Sequence, residues 1–176
     1  MLARTIRRFV PSLDALEFRL PPSGMALESA AVADVFDPDK VPPDVDPDHF
    51  KDLGTDPATG GTFRQNEADT GVRLEKDLGK PLKRYTPSGD PGDKGDFVDD
   101  TGKRYDKIRT APTAQFDQQW DNFKSQLDDH FKKTDVVVVD MKDPNIASLT
   151  PPQKQQLEDY LDALPKARKD ALTILR

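Results

Sequence analysis

The chain has 176 residues, a length that suits one domain or one domain with an extension. It contains no cysteine, which excludes disulfides, thiolate metal sites and a cysteine nucleophile. No apolar run approaches the roughly 20 residues that a membrane span needs. Residues 9–20 are interrupted by Pro11, Asp14 and Glu17, so we expect no signal peptide.

The negative charge of the chain is concentrated in its first third. Residues 1–61 carry 6 lysine or arginine residues against 11 aspartate or glutamate residues, whereas residues 62–176 carry 20 against 21. An acidic total argues against binding of nucleic acid through bulk charge alone. A local basic surface on residues 62–176 would still permit such binding.

Residues 1–61 are predicted to be an acidic arm or linker that is largely irregular, although residues 13–20 could form a helix. Prolines are frequent from Asp37 to Gly61. Proline removes a backbone donor and disfavours helix in the residue before it. We therefore place the start of the folded domain at residue 62 and its end at residue 176.

The first half of this domain is predicted to contain a helix, a short strand and a hairpin. Apolar residues at loosely helical spacing are followed by Gly79, which predicts a helix end. A short strand is expected at residues 81–86 and a loop at residues 87–95, which are rich in glycine and proline. Two short runs around Asp100-Thr101-Gly102 predict a β-hairpin.

The second half alternates helices and strands. The apolar stripe over residues 115–133 predicts a helix, and the β-branched run at residues 135–140 predicts a strand buried on both faces. Thr150 is a candidate N-cap for a second helix, and residues 171–175 supply a last strand. This order implies an α/β (or α+β) fold with a mixed central sheet flanked by helices.

The hairpin brings two carboxylates together in one register. If residues 100–102 form a three-residue turn, Asp99 faces Lys103 and Asp96 faces Asp106, about 5 Å apart at Cβ. A two-residue or four-residue turn would shift this pairing by one. Two such close carboxylates repel each other unless a cation lies between them, and a hard divalent ion is the usual solution.

An acidic residue on a first helix and acidic residues on two hairpin strands resemble the PD-(D/E)xK (restriction-endonuclease-like) nucleases. The segments "FRQNEADTGVRLEKDLG", "GDFVDDTGKRYD" and "FDQQWDNFKSQLDDHFKKTDVVVVD" look like C-terminal toxin domains of contact-dependent inhibition and other bacterial polymorphic toxins. The resemblance implies a restriction-endonuclease-like sheet. It also implies that Asp96 and Asp106 ligate a metal, with Glu67 as the first-helix carboxylate.

The sequence departs from that pattern at the lysine. The family places a lysine two residues after the second acid, where this chain has Ile108, and Lys107 alternates to the opposite face of the strand. Gln126 and His130 lie four apart on one helical face. Our hypothesis is that both point into the site and orient water or phosphate; Lys132 or Lys133 could also replace the lysine.

The resemblance implies a metal-dependent nuclease toxin domain that hydrolyses phosphodiester bonds of DNA or tRNA in competitor bacteria. Mg²⁺ (or Mn²⁺ or Zn²⁺) would lower the pKa of a water and stabilise charge on the phosphate. A cognate immunity protein is the implied partner. The domain would be secreted as the C-terminal part of a larger toxin and act in the target-cell cytoplasm. Basic residues near the hairpin are predicted to contact flanking phosphates: Arg84, Lys103, Arg104 and Arg109.

Two other readings stay open at this point. The chain could be a catalytically inactive nuclease-like binding module that lost the lysine, or an interaction domain that docks through the acidic arm. Each candidate also has an ordinary explanation. Aspartate suits turns, Glu67 suits the first turn of any helix, and His130 suits a helix end.

Overall fold

The computed structural model describes residues 35–57, 60–86 and 95–176. The predicted helix at residues 13–20 lies outside the described residues, as do residues 87–94 of the predicted loop. After a 3₁₀ turn at Pro38–Lys40, the elements in chain order are α1 (Pro47–Gly54), β1 (Thr55–Asp56), β2 (Thr62–Phe63), α2 (Gln65–Leu78), β3 (Lys83–Arg84), β4 (Phe97–Val98), β5 (Arg104–Ile108), α3 (Trp120–Lys133), β6 (Val136–Asp140), α4 (Pro144–Ala147), α5 (Pro151–Asp162), α6 (Lys166–Lys169) and β7 (Leu172–Leu175).

Helix α1 lies in the stretch predicted to be an irregular linker, so that prediction is wrong there. Asp46 caps the helix by accepting the backbone N–H of His49, and Pro47 takes the first helical position, where a missing N–H costs nothing. The side chains of Phe50 and Leu53 are fully buried in the core that α1 shares with α2. A truncation at residue 61 would therefore remove part of the core.

Helix α2 follows its predicted course. It ends at Gly79, which adopts a left-handed conformation with φ 66° and donates its N–H to the Glu75 carbonyl. Gly71 allows α2 to approach the sheet closely, since a Cβ there would lie 3.0 Å from the Phe97 ring. This close approach sets the first turn of α2 beside the hairpin.

The central sheet has five strands in the order β3-β4-β5-β6-β7. Strands β3, β4 and β5 pair antiparallel, and β5, β6 and β7 pair parallel. Every residue of β6 is buried, as the β-branched run predicted. The α/β fold with a mixed sheet flanked by helices is therefore confirmed.

The hairpin has the register of a three-residue turn. Phe97 pairs with Tyr105, and Asp99 donates its N–H to the carbonyl of Lys103 at 3.1 Å. Gly102 closes the turn with φ +84°, a conformation that favours glycine. The paired residues end at Phe97 and Tyr105, and the N–H of Asp96 donates to the Tyr105 carbonyl, so the expected opposition of Asp96 and Asp106 stays a prediction.

Two hydrophobic cores cover the two faces of the sheet. Tyr105 belongs to the core beneath α1 and α2, whereas Ile108 belongs to the core beneath α3 and α5. Because side chains alternate along β5, Lys107 lies on the α2 face and Asp106 on the α3 face. The predicted position of Lys107 on the opposite face from Asp106 is confirmed.

The remaining differences from prediction concern short elements and helix ends. α3 begins at Trp120, later than predicted, because Thr113–Gln115 form a 3₁₀ turn before it. Helices α4 and α6 are single turns that sequence periodicity does not reveal. In the described stretches of the chain, every helix is too short or too polar to cross a lipid bilayer.

Candidate active site

Glu67 and Asp106 both act electrostatically on Asp96, which lies at the open end of the hairpin; we call Glu67, Asp96 and Asp106 the acidic cluster. Glu67 lies in the first turn of α2, Asp96 directly precedes β4, and Asp106 lies within β5. Burial raises the pKa of Asp96 to about 7, and the charges of Asp106 and Glu67 add to this effect. Asp96 is therefore close enough to both Asp106 and Glu67 to feel their charges, and the predicted role of the three residues in catalysis stays a prediction.

The guanidinium of Arg84 forms ion pairs with both Glu67 and Asp96. Its Nη1 lies 2.7 Å from Glu67 Oε2, and its Nη2 lies 3.4 Å from Asp96 Oδ1. Arg64 adds a second contact, with Nη1 3.0 Å from Glu67 Oε1. A buried polar side chain such as that of Glu67 needs hydrogen-bonding or charged partners of this kind. The guanidinium of Arg84, predicted to contact phosphate, is engaged with the acidic cluster in this structure.

Asp96 bridges the edge of the sheet and the backbone of β5. Its Oδ2 accepts the backbone N–H of Lys107 at 2.8 Å, while its own N–H donates to the Tyr105 carbonyl. These bonds fix the carboxyl group beside the strand that carries Asp106. Because its pKa lies near neutrality, Asp96 can gain or lose a proton at physiological pH.

His130 contacts the acidic cluster from α3. Its Nδ1 lies 2.7 Å from Asp106 Oδ2, although no hydrogen bond of good angle joins the two atoms, so the contact is an ion pair. Burial opposes protonation of the ring, but the paired Asp106 carboxylate outweighs it, and the pKa of His130 is raised. His130 therefore lies against Asp106, one of the predicted site residues, and its role in catalysis stays a prediction.

Gln126 is not brought into the site. It lies one turn before His130 on α3 but is exposed, and among the described residues it forms no hydrogen bond with the acidic cluster. The i, i+4 spacing places both residues on one side of the helix. Only His130, at the last turn, reaches the end of β5 where Asp106 lies.

The predicted phosphate-binding residues do not converge on one surface. Lys103 is exposed at the hairpin turn, and its Nζ lies 5.9 Å from the centroid of the Tyr105 ring. Arg104 pairs with Asp135, Nε to Oδ2 3.3 Å. Arg109 is half-buried just after β5. Their role in binding nucleic acid stays a prediction.

The donor set of the acidic cluster suits a hard divalent cation, because all its candidate ligand atoms are carboxylate oxygens. The raised pKa of Asp96 also marks a point where added positive charge would be favourable. In the part of the chain that the structure describes, however, no three acidic or histidine side chains are arranged as a ready metal site. Arg84 and His130 now pair with the cluster, so the expected Mg²⁺, Mn²⁺ or Zn²⁺ stays a prediction.

The sequence profile of the CdiA C-terminal tRNase domain matches residues 65–175. The chain belongs to this family. It is also similar to a solved structure, a CdiA-CT toxin from Burkholderia pseudomallei in complex with its cognate CdiI immunity protein, with 25% identity and a TM-score of 0.52. The match covers 64% of the present chain and 100% of the Burkholderia chain. A comparison with curated proteins gives no match.

Membership of the CdiA C-terminal tRNase family confirms the predicted class, a nuclease toxin of contact-dependent inhibition. The matched residues contain the whole acidic cluster, Arg84 and His130, whereas α1 and Arg64 precede them. The narrower assignment to the PD-(D/E)xK nucleases stays a prediction.

Sequence reasoning misses Arg64 as a partner of Glu67. Its spacing of three residues before Glu67 is the signal that could have revealed the pair, because residues three apart meet on a helix surface. The pairing of Arg84 with Glu67 and Asp96 could not be predicted from residue spacing. It depends on how β3 is set against α2, which no local spacing encodes.

Proposed function

We propose that this domain is a ribonuclease toxin that cleaves tRNA at the acidic cluster and His130. The observation that carries this proposal is the chain of charged contacts that joins Asp96 to Glu67 and Asp106, and Asp106 to His130, within the residues matched by the tRNase profile. A carboxyl group with a pKa near 7, next to a carboxylate that raises the pKa of a histidine, suits proton transfer during phosphodiester cleavage.

Asp96 and Asp106 are the residues that would hold a divalent cation, with Glu67 in reach through its place beside Asp96. Such an ion supplies an activated water and charge stabilisation at the phosphate. Binding would need the carboxylates to leave Arg84 and His130 in part. Arg84 would then be available to the substrate, which reconciles its present position with the phosphate contact expected from the sequence.

His130 and Asp106 supply the proton-handling pair of the site. The Asp106 carboxylate orients the ring through Nδ1 and favours its protonated form, so Nε2 can donate a proton to a leaving oxygen or hold a phosphate oxygen. Asp96 stands on the other side of Asp106 with a pKa near 7 and can accept a proton. The cluster thus offers both an acid and a base at neutral pH.

Replacing Asp106 by alanine should lower the rate of tRNA cleavage by about 100-fold or more, because it removes the partner of His130 and the neighbour of Asp96. The assay incubates the full chain with total tRNA and, separately, with plasmid DNA, each with Mg²⁺ and with EDTA. Asp121→Ala is the matched control, since Asp121 is an exposed acid on α3. Cleavage of plasmid alone would contradict tRNA as the substrate, and no cleavage of either would favour an inactive binding module.

Replacing His130 by alanine should lower tRNA cleavage by about 100-fold while leaving the thermal midpoint nearly unchanged. Its side chain is 28% exposed, and the variant leaves both hydrophobic cores intact. The matched control is His49→Ala, which removes the other histidine of the chain, paired with Glu75 on the far part of α2. Equal losses of activity in both histidine variants would show that His130 has no special part in cleavage.

The partner and place of action follow from the same relatives. We propose that a cognate immunity protein binds this domain, as CdiI binds the Burkholderia toxin. We further propose that the domain is delivered as the C-terminal part of a larger secreted toxin and acts in the cytoplasm of the target cell. Purification of the chain together with the product of the adjacent reading frame tests the first of these statements.

A further inference from the structure

We propose that Lys107 is a positioning residue that sets the first turn of α2, and with it Glu67, against the two hairpin acids. This inference rests on the proposed function of the acidic cluster. Lys107 stands between Asp106 and Ile108 in β5 but faces away from both, toward α2. Its side chain lies outside the acidic cluster, whereas its backbone N–H contacts Asp96.

The side chain of Lys107 ties three parts of the chain together. Its Nζ donates to the backbone carbonyl of Asn66 at 3.0 Å and lies 2.6 Å from Asp143 Oδ2, with both charged side chains at most 2% exposed. Asn66 directly precedes Glu67. The ammonium group therefore fixes the backbone of the turn that carries the first-helix carboxylate.

The backbone of Lys107 holds the second member of the cluster. Its N–H donates to Asp96 Oδ2 at 2.8 Å, and its preceding neighbour in the chain is Asp106. One residue is thus bonded to Asp96, adjacent to Asp106 and hydrogen-bonded to the residue before Glu67. No other described residue is linked to all three acids in this way.

A charged pair at this depth is not needed for the stability of the fold. Burying Lys107 and Asp143 costs desolvation energy, and an apolar pair of similar volume is often as stable or more so. A lysine at this position is explained by its hydrogen bond to Asn66. An apolar side chain could fill the same space but could not donate to the Asn66 carbonyl. The pair therefore serves the geometry of the site.

A second set of contacts, made by Asp140, also holds α2 against the sheet and does not involve Lys107. Asp140, at the end of β6, accepts the Thr70 hydroxyl at 2.7 Å and the guanidinium of Arg73. These residues lie one and two turns beyond Glu67. Loss of Lys107 should therefore loosen only the first turn of α2 and leave the helix docked.

The test compares the full-length wild type with Lys107→Met, and with Leu161→Ala as a control that is destabilised in the other core. We expect Lys107→Met to lower kcat for tRNA cleavage by about 10- to 100-fold with KM changed less than about twofold. Amide hydrogen exchange at Glu67 and Ala68 should rise about tenfold or more, and exchange at the end of α2 should stay the same. Leu161→Ala should keep kcat.

A double-mutant comparison shows whether Lys107 acts through Glu67. In a Glu67→Gln background, Lys107→Met should lower the residual kcat by less than about threefold. A full, additive loss in that background, or unchanged kcat and exchange in Lys107→Met, would overturn the proposal. If Lys107→Met does not fold, the double variant Lys107→Met/Asp143→Asn is used in its place, because it leaves no charge on either member of this buried pair. A wild type that cleaves no tRNA would refute the proposed function. Amide exchange at Glu67 and Ala68 would still test whether Lys107 positions the first turn of α2.

Discussion

Asp99→Ala should destabilise the domain by at least about 3 kcal/mol, a large share of the roughly 5–15 kcal/mol that a domain has in total. The Asp99 side chain is fully buried at the closed end of the hairpin. It accepts the hydroxyl of Tyr105 and the ammonium group of Lys80, and its other oxygen accepts two backbone N–H groups of the turn. Removal leaves a buried tyrosine hydroxyl without its acceptor and a turn without its organising group.

The measurement is urea unfolding of wild type, Asp99→Ala and the control Asp100→Ala, whose side chain is exposed at the same turn. Burial raises the pKa of Asp99, but the bonds from Lys80, Thr101, Lys103 and Tyr105 outweigh it and hold the pKa well below its usual range. The stabilisation is therefore present above about pH 4 and is lost as the pH falls below that value. The difference between wild type and Asp99→Ala should shrink on acidification. A loss as small as that of Asp100→Ala would contradict this account.

The hairpin could be predicted from the sequence because its register is a local property. Three turn residues ending in Gly102 determine which strand residues are opposed, and this places Phe97 opposite Tyr105 without any knowledge of the rest of the fold. The same holds for the end of α2 at Gly79 and for the buried strand β6. In each case a glycine or an unbroken apolar run specifies the structure within a few residues.

Helix α1 is missed because its local start signals, Asp46 followed by Pro47, stand in a stretch whose composition is typical of a linker. Its prolines and aspartates have the composition of a linker, and only the burial of Phe50 and Leu53 against α2 makes it part of the domain. The same limit applies within the site. Spacing gave equal support to Gln126 and His130, but the length and place of α3 bring only His130 to Asp106.

Asp96→Asn should abolish tRNA cleavage, by about 1000-fold, and at the same time stabilise the fold at neutral pH. The activity falls because an amide neither accepts a proton nor holds a cation as a carboxylate does. The fold gains because the pKa of Asp96 in the folded chain is about 7, above the ordinary value of 3.8 for an aspartate. The folded state therefore binds the proton more tightly, and ionising Asp96 costs stability as the pH rises from about 4 to 7.

The variant does not ionise at this position, so its advantage over wild type should grow by about 2–3 kcal/mol between pH 5 and pH 8. Denaturant unfolding at both values, in EDTA, measures this difference. The matched control is Asp69→Asn, because burial also raises the pKa of Asp69, on the same helix as Glu67, but Asp69 lies outside the acidic cluster. This control should keep its activity. Added Mg²⁺ should stabilise wild type more than Asp96→Asn if the carboxylate helps to hold the ion. A variant that is less stable than wild type at pH 8 would mean that Arg84 and the Lys107 N–H stabilise the ionised carboxylate more than its acidic neighbours destabilise it.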